Sequence, residues 1–309
     1  MKSAGTVMRP SGEQHEVAFG RQRVVIAGVG ATLRSYDVGD EAVVDGFDED
    51  EICSAGRGQV LAPWPNRLAE GRYDYDGVSA RAAIDEPERH NAIHGLVRWL
   101  AWQVRYRAQN VLGMGCTLEP QPGYPWRLDL GVEYRLGRDG LSVTATASNP
   151  SDRPIPFGMG FHPYISAGTG RVDECRLHLP GSTRLVTDDR GLPTGEATVG
   201  GTEYDFLAPR AVGSTRLDTA YTNLARGEDG LARVALERPG PSSVTMWADS
   251  SFPYFMAYTG DTLDPPQRRR ASIAIEPMTC PPNALRSGTD VITIEPGASW
   301  TGRWGLVIG

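Results

Sequence analysis

The chain has 309 residues, 40% of them hydrophobic and 22% charged, which suits a globular protein able to build its own core. Its net charge of -7 argues against a nucleic-acid partner, and the one basic run, Arg268-Arg269-Arg270, is too short for a phosphate-backbone footprint. No apolar run reaches membrane-span length, the N-terminus lacks a signal-type apolar core, and the four cysteines show no metal-ligand or redox spacing, so a soluble cytoplasmic protein with reduced thiols is expected.

Along the chain, strand signals dominate. The first twenty residues read as an N-terminal arm. The stretch from Val24 to Gly30 looks like a strand entering a dinucleotide-binding loop, but Leu33 stands where a third glycine is needed and no amphipathic helix follows. It therefore reads as a strand, a bend at the glycines and another strand. In Ala62-Pro63-Trp64-Pro65-Asn66-Arg67 a polar pair sits just beyond two prolines, with several hydrogen bonds to offer hydroxyl groups or, equally, a capped surface turn. His90 and His94 have the spacing of zinc ligands on a helix, yet no Glu follows His90 and no third ligand stands nearby, so no metal site is expected. Ile93, Leu96, Val97 and Leu100 fit one helical face, while Gly95, Trp99 and Trp102 favour strand.

Apolar residues alternate with polar ones from Trp126 to Leu136 and again from Leu141 to Ser148, two half-buried strands. In Phe157-Gly158-Met159-Gly160-Phe161-His162-Pro163-Tyr164 the glycines permit close approach, and His162 is held extended by the proline after it. Asp218 could accept from two hydroxyls. Ser243–Trp247 and Val291–Ile294 are further strands. In Ile273-Ala274-Ile275-Glu276-Pro277 the alternation puts Ile273 and Ile275 on one face, Ala274 and Glu276 on the other. Pro277 donates no ladder hydrogen bond, so pairing is expected to lapse there and leave Glu276 at a strand tip. With 37 glycines and 23 prolines, long helices have little room. The pattern is all-β: one large antiparallel β-sandwich spanning residues 1–309 as a single domain.

Glu276 and His162 together carry chemistry. Unperturbed, they titrate near about 4.3 and 6.5, a base and a proton donor at neutral pH that need no metal or nucleotide. No nucleophile elbow or activated cysteine context competes with them.

These pieces resemble the aldose 1-epimerase (mutarotase) family. The matching stretches are 63–77, 91–99, 123–130, 158–164, 217–224, 258–263 and 275–285, in order and over most of the chain. The resemblance implies a galactose mutarotase-like sandwich whose concave face holds a free aldohexose such as glucose or galactose, with no cofactor. It implies Glu276 as general base and His162 as general acid, and Asn66, Arg67, His94, Tyr164 and Asp218 as residues touching the sugar. The chain departs from the family pattern at Trp247-Ala248-Asp249, where many members carry a glutamine. Trp247 is placed there either against a sugar face or in the core. Leu96 replaces a second glycine after Gly95. A monomer or homodimer is expected. Three rivals stay open: a hexose-6-phosphate 1-epimerase using Arg67, Arg98 or Arg286, a glycoside hydrolase, and a non-catalytic carbohydrate-binding module.

Overall fold

The computed structural model describes residues 9–309. Its strands follow the alternation of the sequence. In Leu128–Gly137 and Gly140–Ser148 every second side chain is buried, and the two strands pair antiparallel around a tight turn at Arg138-Asp139. Large residues face small ones across this pair, Leu130 opposite Ala147 and Val132 opposite Ala145, so the buried face stays level. The helical spacing from Ile93 to Leu100 does not yield a helix. His94 and Gly95 adopt left-handed backbone angles, and the Leu96 N–H is used by the Ala62 carbonyl at 2.7 Å. Tertiary partners therefore override the local periodicity.

Two large antiparallel sheets share one hydrophobic core. A twelve-stranded sheet runs, in spatial order, Gln14–Phe19, Gln22–Ala27, Thr32–Val38, Glu41–Val44, Tyr164–Ser166, Ser272–Met278, Tyr254–Tyr258, Asp218–Leu224, Gly181–Thr187 and Pro193–Thr198, with Val60–Leu61 and Gly160–Phe161 joined at its middle. A nine-stranded sheet is built around Leu128–Gly137, Gly140–Ser148, Ser299–Ile308 and Ser243–Ala248. Val24, Ile26, Ile273 and Ile275 of the first sheet pack in one cluster with Val143, Met246, Trp304 and Leu306 of the second. Burying so many branched and aromatic side chains between two sheets is the main stabilising term, about 1.5–3 kcal/mol for each large side chain.

The first twenty residues are not an arm throughout. Gln14–Phe19 is the edge strand of the large sheet, in register with Gln22–Ala27, and Val17 is buried in the core; residues 1–8 lie outside the described part. The glycines after Gln22–Ala27 do form the expected bend, leading into Thr32–Val38. Among the described residues no helix is long and apolar enough to cross a membrane.

Candidate active site

Glu276 and His162 meet because of strand register. On one side of Ser272–Met278, Ala274 pairs with Tyr164 and Met278 with Gly160. Carrying that register across the interval between them sets His162 opposite Glu276. Pro163 and Pro277 sit in this interval and lack the N–H groups a ladder needs, so the ladder is interrupted there. The Ile275 N–H reaches the Pro163 carbonyl instead, at 3.3 Å, and the His162 backbone turns to a loop, donating to Gln59 and accepting from Gly58. Glu276 is thus not at a strand tip. It lies within a strand still paired to Tyr254–Tyr258 on its other side, Met256 opposite it, and pairing lapses on one edge only.

The alternation of the sequence decides which way Glu276 points. Ile273 and Ile275 enter the main core, whereas Ala274 joins a small cluster with Tyr164 and Leu263, and Met278 another with Tyr254 and Met256. Glu276 lies between these clusters on the face away from the core, only 2% exposed, with His162 5% exposed. The His162 Nε2 is 3.3 Å from the Glu276 Oε1.

Asn66, Arg67, His94, His162, Tyr164, Asp218 and Glu276 all line one cavity of about 520 Å³ on this face. Asn66 and His94 are both held in the left-handed region, φ 56° and 64°, a conformation costly for a histidine and sustained by reciprocal bonds. The His94 N–H donates to the Asn66 carbonyl at 2.9 Å, and the Asn66 N–H donates to His94 Nδ1 at 3.2 Å. With Nδ1 accepting, the neutral imidazole carries its proton on Nε2 and is a hydrogen-bond donor there. Arg67 Nε donates to both Glu86 carboxylate oxygens at 3.1 and 3.0 Å, and its Nη2 lies 3.7 Å from Asp218. Asn91 donates to Glu86 at 2.9 Å, so it braces this clamp instead of facing a ligand.

Burial reverses the proton affinities that the residue types suggest. It drops the His162 imidazole to about 3, with the Arg57 and Arg98 cations pushing the same way. It lifts the Glu276 carboxyl well above the usual carboxylate range, helped by Asp218 and opposed by Arg67. His94 is held neutral by burial and by His162, Arg98 and Arg67. Of the two groups, the Glu276 carboxyl therefore holds a proton more tightly, one short transfer from the imidazole. Such a pair can give a proton to one oxygen and take one from another while keeping its own proton count.

Two expectations change. Tyr164 is 1% exposed, stacks on His162 at 5.0 Å between ring centroids, and gives its hydroxyl to the Ala55 carbonyl. Its ring supports the imidazole and its hydroxyl is already engaged. Trp247 is outside the cavity altogether. It belongs to the nine-stranded sheet, where Val244, Met246 and Ala248 take the core face and leave Trp247 half-buried on the opposite face, opposite Gly305. A Cβ at Gly305 would come within 2.5 Å of the Trp247 ring, so the indole covers that glycine. Trp247→Ala is expected to lower the melting temperature, measured by thermal unfolding, while leaving the cavity residues in place.

The sequence reading missed the loop from Cys53 to Gly56, Glu86, Arg89 and Trp99, which line the cavity together with Arg98, the cation weighed for a phosphate. For the loop, the available signal was Gly56-Arg57-Gly58, a cation between two glycines that both have positive φ.

A two-sheet antiparallel sandwich of this strand order is the galactose mutarotase-like fold. Comparison with known proteins agrees. The GalM/aldose epimerase homologue from C. elegans superposes with a TM-score of 0.85 at 18% identity, covering 96% of this chain and 98% of that one. Galactose 1-epimerase from Lactobacillus acidophilus gives 0.78 at 18% identity, over 97% and 99%. The uncharacterized Escherichia coli protein YihR is 31% identical over 94% of this chain and 92% of its own length. The maltose epimerase of Levilactobacillus brevis is 26% identical over 84% and 83%. The family model for aldose 1-epimerase matches residues 14–306, and the chain belongs to that family.

Proposed function

We propose that the protein interconverts the α and β anomers of a free aldose, with His162 and Glu276 exchanging protons with the sugar. The observation that carries this reading is the 3.3 Å approach of two buried ionisable groups at a cavity. The C1 hydroxyl of the bound sugar gives its proton to the ionised Glu276, and the His162 imidazolium protonates the ring oxygen. The C1–ring-oxygen bond breaks as the C1 carbonyl forms. Rotation about C1–C2 presents the other carbonyl face, and closure returns both protons. No net proton or electron is consumed, and the scheme calls for no cofactor. His94 Nε2–H and the Arg67 guanidinium donate to oxygens on which charge develops. Asn66 donates to a hydroxyl and Asp218 accepts from one.

The charge pattern of the cavity favours an uncharged sugar over a 6-phosphate. Arg67 and Arg89 are paired with Glu86 and Asp218, and Arg98 with Asp85, while Arg286 lies outside the cavity, paired with Glu70. A glycoside hydrolase needs two carboxylates about 5 to 9.5 Å apart flanking the bond; the partner of Glu276 is a histidine, and Asp218 is engaged by arginines. A binding module has no use for an acid–base pair inside its cavity.

Polarimetry on freshly dissolved α-D-glucose, α-D-galactose, maltose and glucose 6-phosphate tests the reading. Equilibration faster than buffer is expected with at least one free sugar, and no phenol release from an aryl glycoside. Phenol release without faster equilibration would replace it with the hydrolase reading.

A further inference from the structure

We propose that Arg57 is a positioning residue for the reaction: anchored on Asp45, it holds the Tyr164 ring against His162 and sets the acidity of the His162–Glu276 pair. This rests on the mutarotase reading above and adds a residue that does not line the cavity.

Arg57 is 1% exposed. Its Nη1 donates to the Asp45 side chain at 2.6 Å and to the Asp45 carbonyl at 3.0 Å, while Nε and Nη2 have no partner among the described residues. A buried guanidinium left partly unsatisfied is costly, so its placement needs a reason. The carbon of that guanidinium lies 4.2 Å from the centroid of Tyr164, the ring that stacks on His162 with 14° between planes. The flanking chain fits the same purpose. A Cβ at Gly56 would approach within 2.7 Å of the His162 ring, and Gly58 donates to the His162 carbonyl at 2.8 Å. Asp45 also accepts from Ser272 Oγ at 2.7 Å, which ties the anchor to the first residue of the strand that carries Glu276. The acid and the base thus share one support.

The groups facing the pair are His94 from the turn after Asn91–Ile93, Tyr164, Arg57 and Arg98 at His162, and Arg67 and Asp218 at Glu276. A fixed cation among them makes the imidazolium a better donor to the ring oxygen and the carboxylate easier to ionise. The profile of kcat against pH is then a bell. Its acid limb is uptake of a second proton by the pair, and its alkaline limb is loss of the first.

Arg57→Met and Arg57→Lys, assayed for mutarotation across pH, test this. Removing the cation lets the pair hold protons to higher pH. Arg57→Met is therefore expected to move both limbs up by about half a unit or more and to lower kcat roughly tenfold. Arg57→Lys keeps the limbs in place. If Arg57→Met does not fold, Arg57→Gln provides the readout, since it too removes the cation and is expected to move both limbs up and lower kcat. Unmoved limbs in every folded variant, with an active wild type, overturn this inference alone. A wild type that accelerates no sugar overturns the reaction beneath it as well.

Discussion

Glu276→Gln is expected to reduce the protein-dependent mutarotation rate by about 10³-fold or more while leaving the fold intact. Glutamine fills the same space and keeps an acceptor oxygen, but it takes no proton from the C1 hydroxyl, so only binding and polarisation remain. The same change should raise stability. In the folded protein the Glu276 carboxyl is pushed well above its ordinary value. Below about pH 4.5 both the folded and unfolded chains keep that proton, and burial costs little. As pH rises, the unfolded chain ionises freely while the folded one resists, so this site loses stability towards alkaline pH. Glutamine has no such loss. The melting temperature of the variant should match wild type near pH 4 and exceed it by about 2 °C or more at pH 8. Circular dichroism melts at both pH values measure this, and an unchanged difference across pH would place the carboxyl in water.

His162→Asn is expected to cost about 10²- to 10³-fold in kcat, because the ring oxygen then departs without a proton. Its stability signature is the mirror image. The His162 imidazole is held down at about 3 against an ordinary value of 6.5. Between those values the unfolded chain binds a proton that the folded chain refuses, so wild type loses stability as pH falls below 6.5. Asparagine does not titrate. The variant should gain on wild type at pH 5 and not at pH 8. Opposite pH signatures from two residues in contact separate burial of titrating groups from a general loosening of the cavity.

The face that carries Glu276 was legible from Ile273 and Ile275, because strand alternation is local and period two leaves no ambiguity. That His162 stands opposite it was not, since register between strands more than a hundred residues apart is a tertiary fact. The prolines after each residue were visible, but their joint role at one interruption of the ladder appears only once the strands are paired. Solution acidities misled for a similar reason: desolvation depends on how the sheet and loops close over the pair. Trp247 was misplaced although Val244, Met246 and Ala248 alternate around it and give the core face to themselves. What the sequence withheld was the sheet to which that strand belongs. Gln14–Phe19 reads as an arm because it lies outside the matching stretches, yet an edge strand needs only one buried side chain in two. Arg57 escaped notice because it reaches the chemistry through an aromatic ring and a loop, with no motif of its own.

The central claim is that His162 and Glu276 act as one proton-transfer unit. A mutant cycle tests it most directly, with kcat for mutarotation of wild type, Glu276→Gln, His162→Asn and the double variant under one set of conditions. Residues that share a step lose it together, so the double variant should be no slower than the worse single variant, within about threefold. Losses that multiply, giving a double variant slower by the product of the two single effects, would contradict the account.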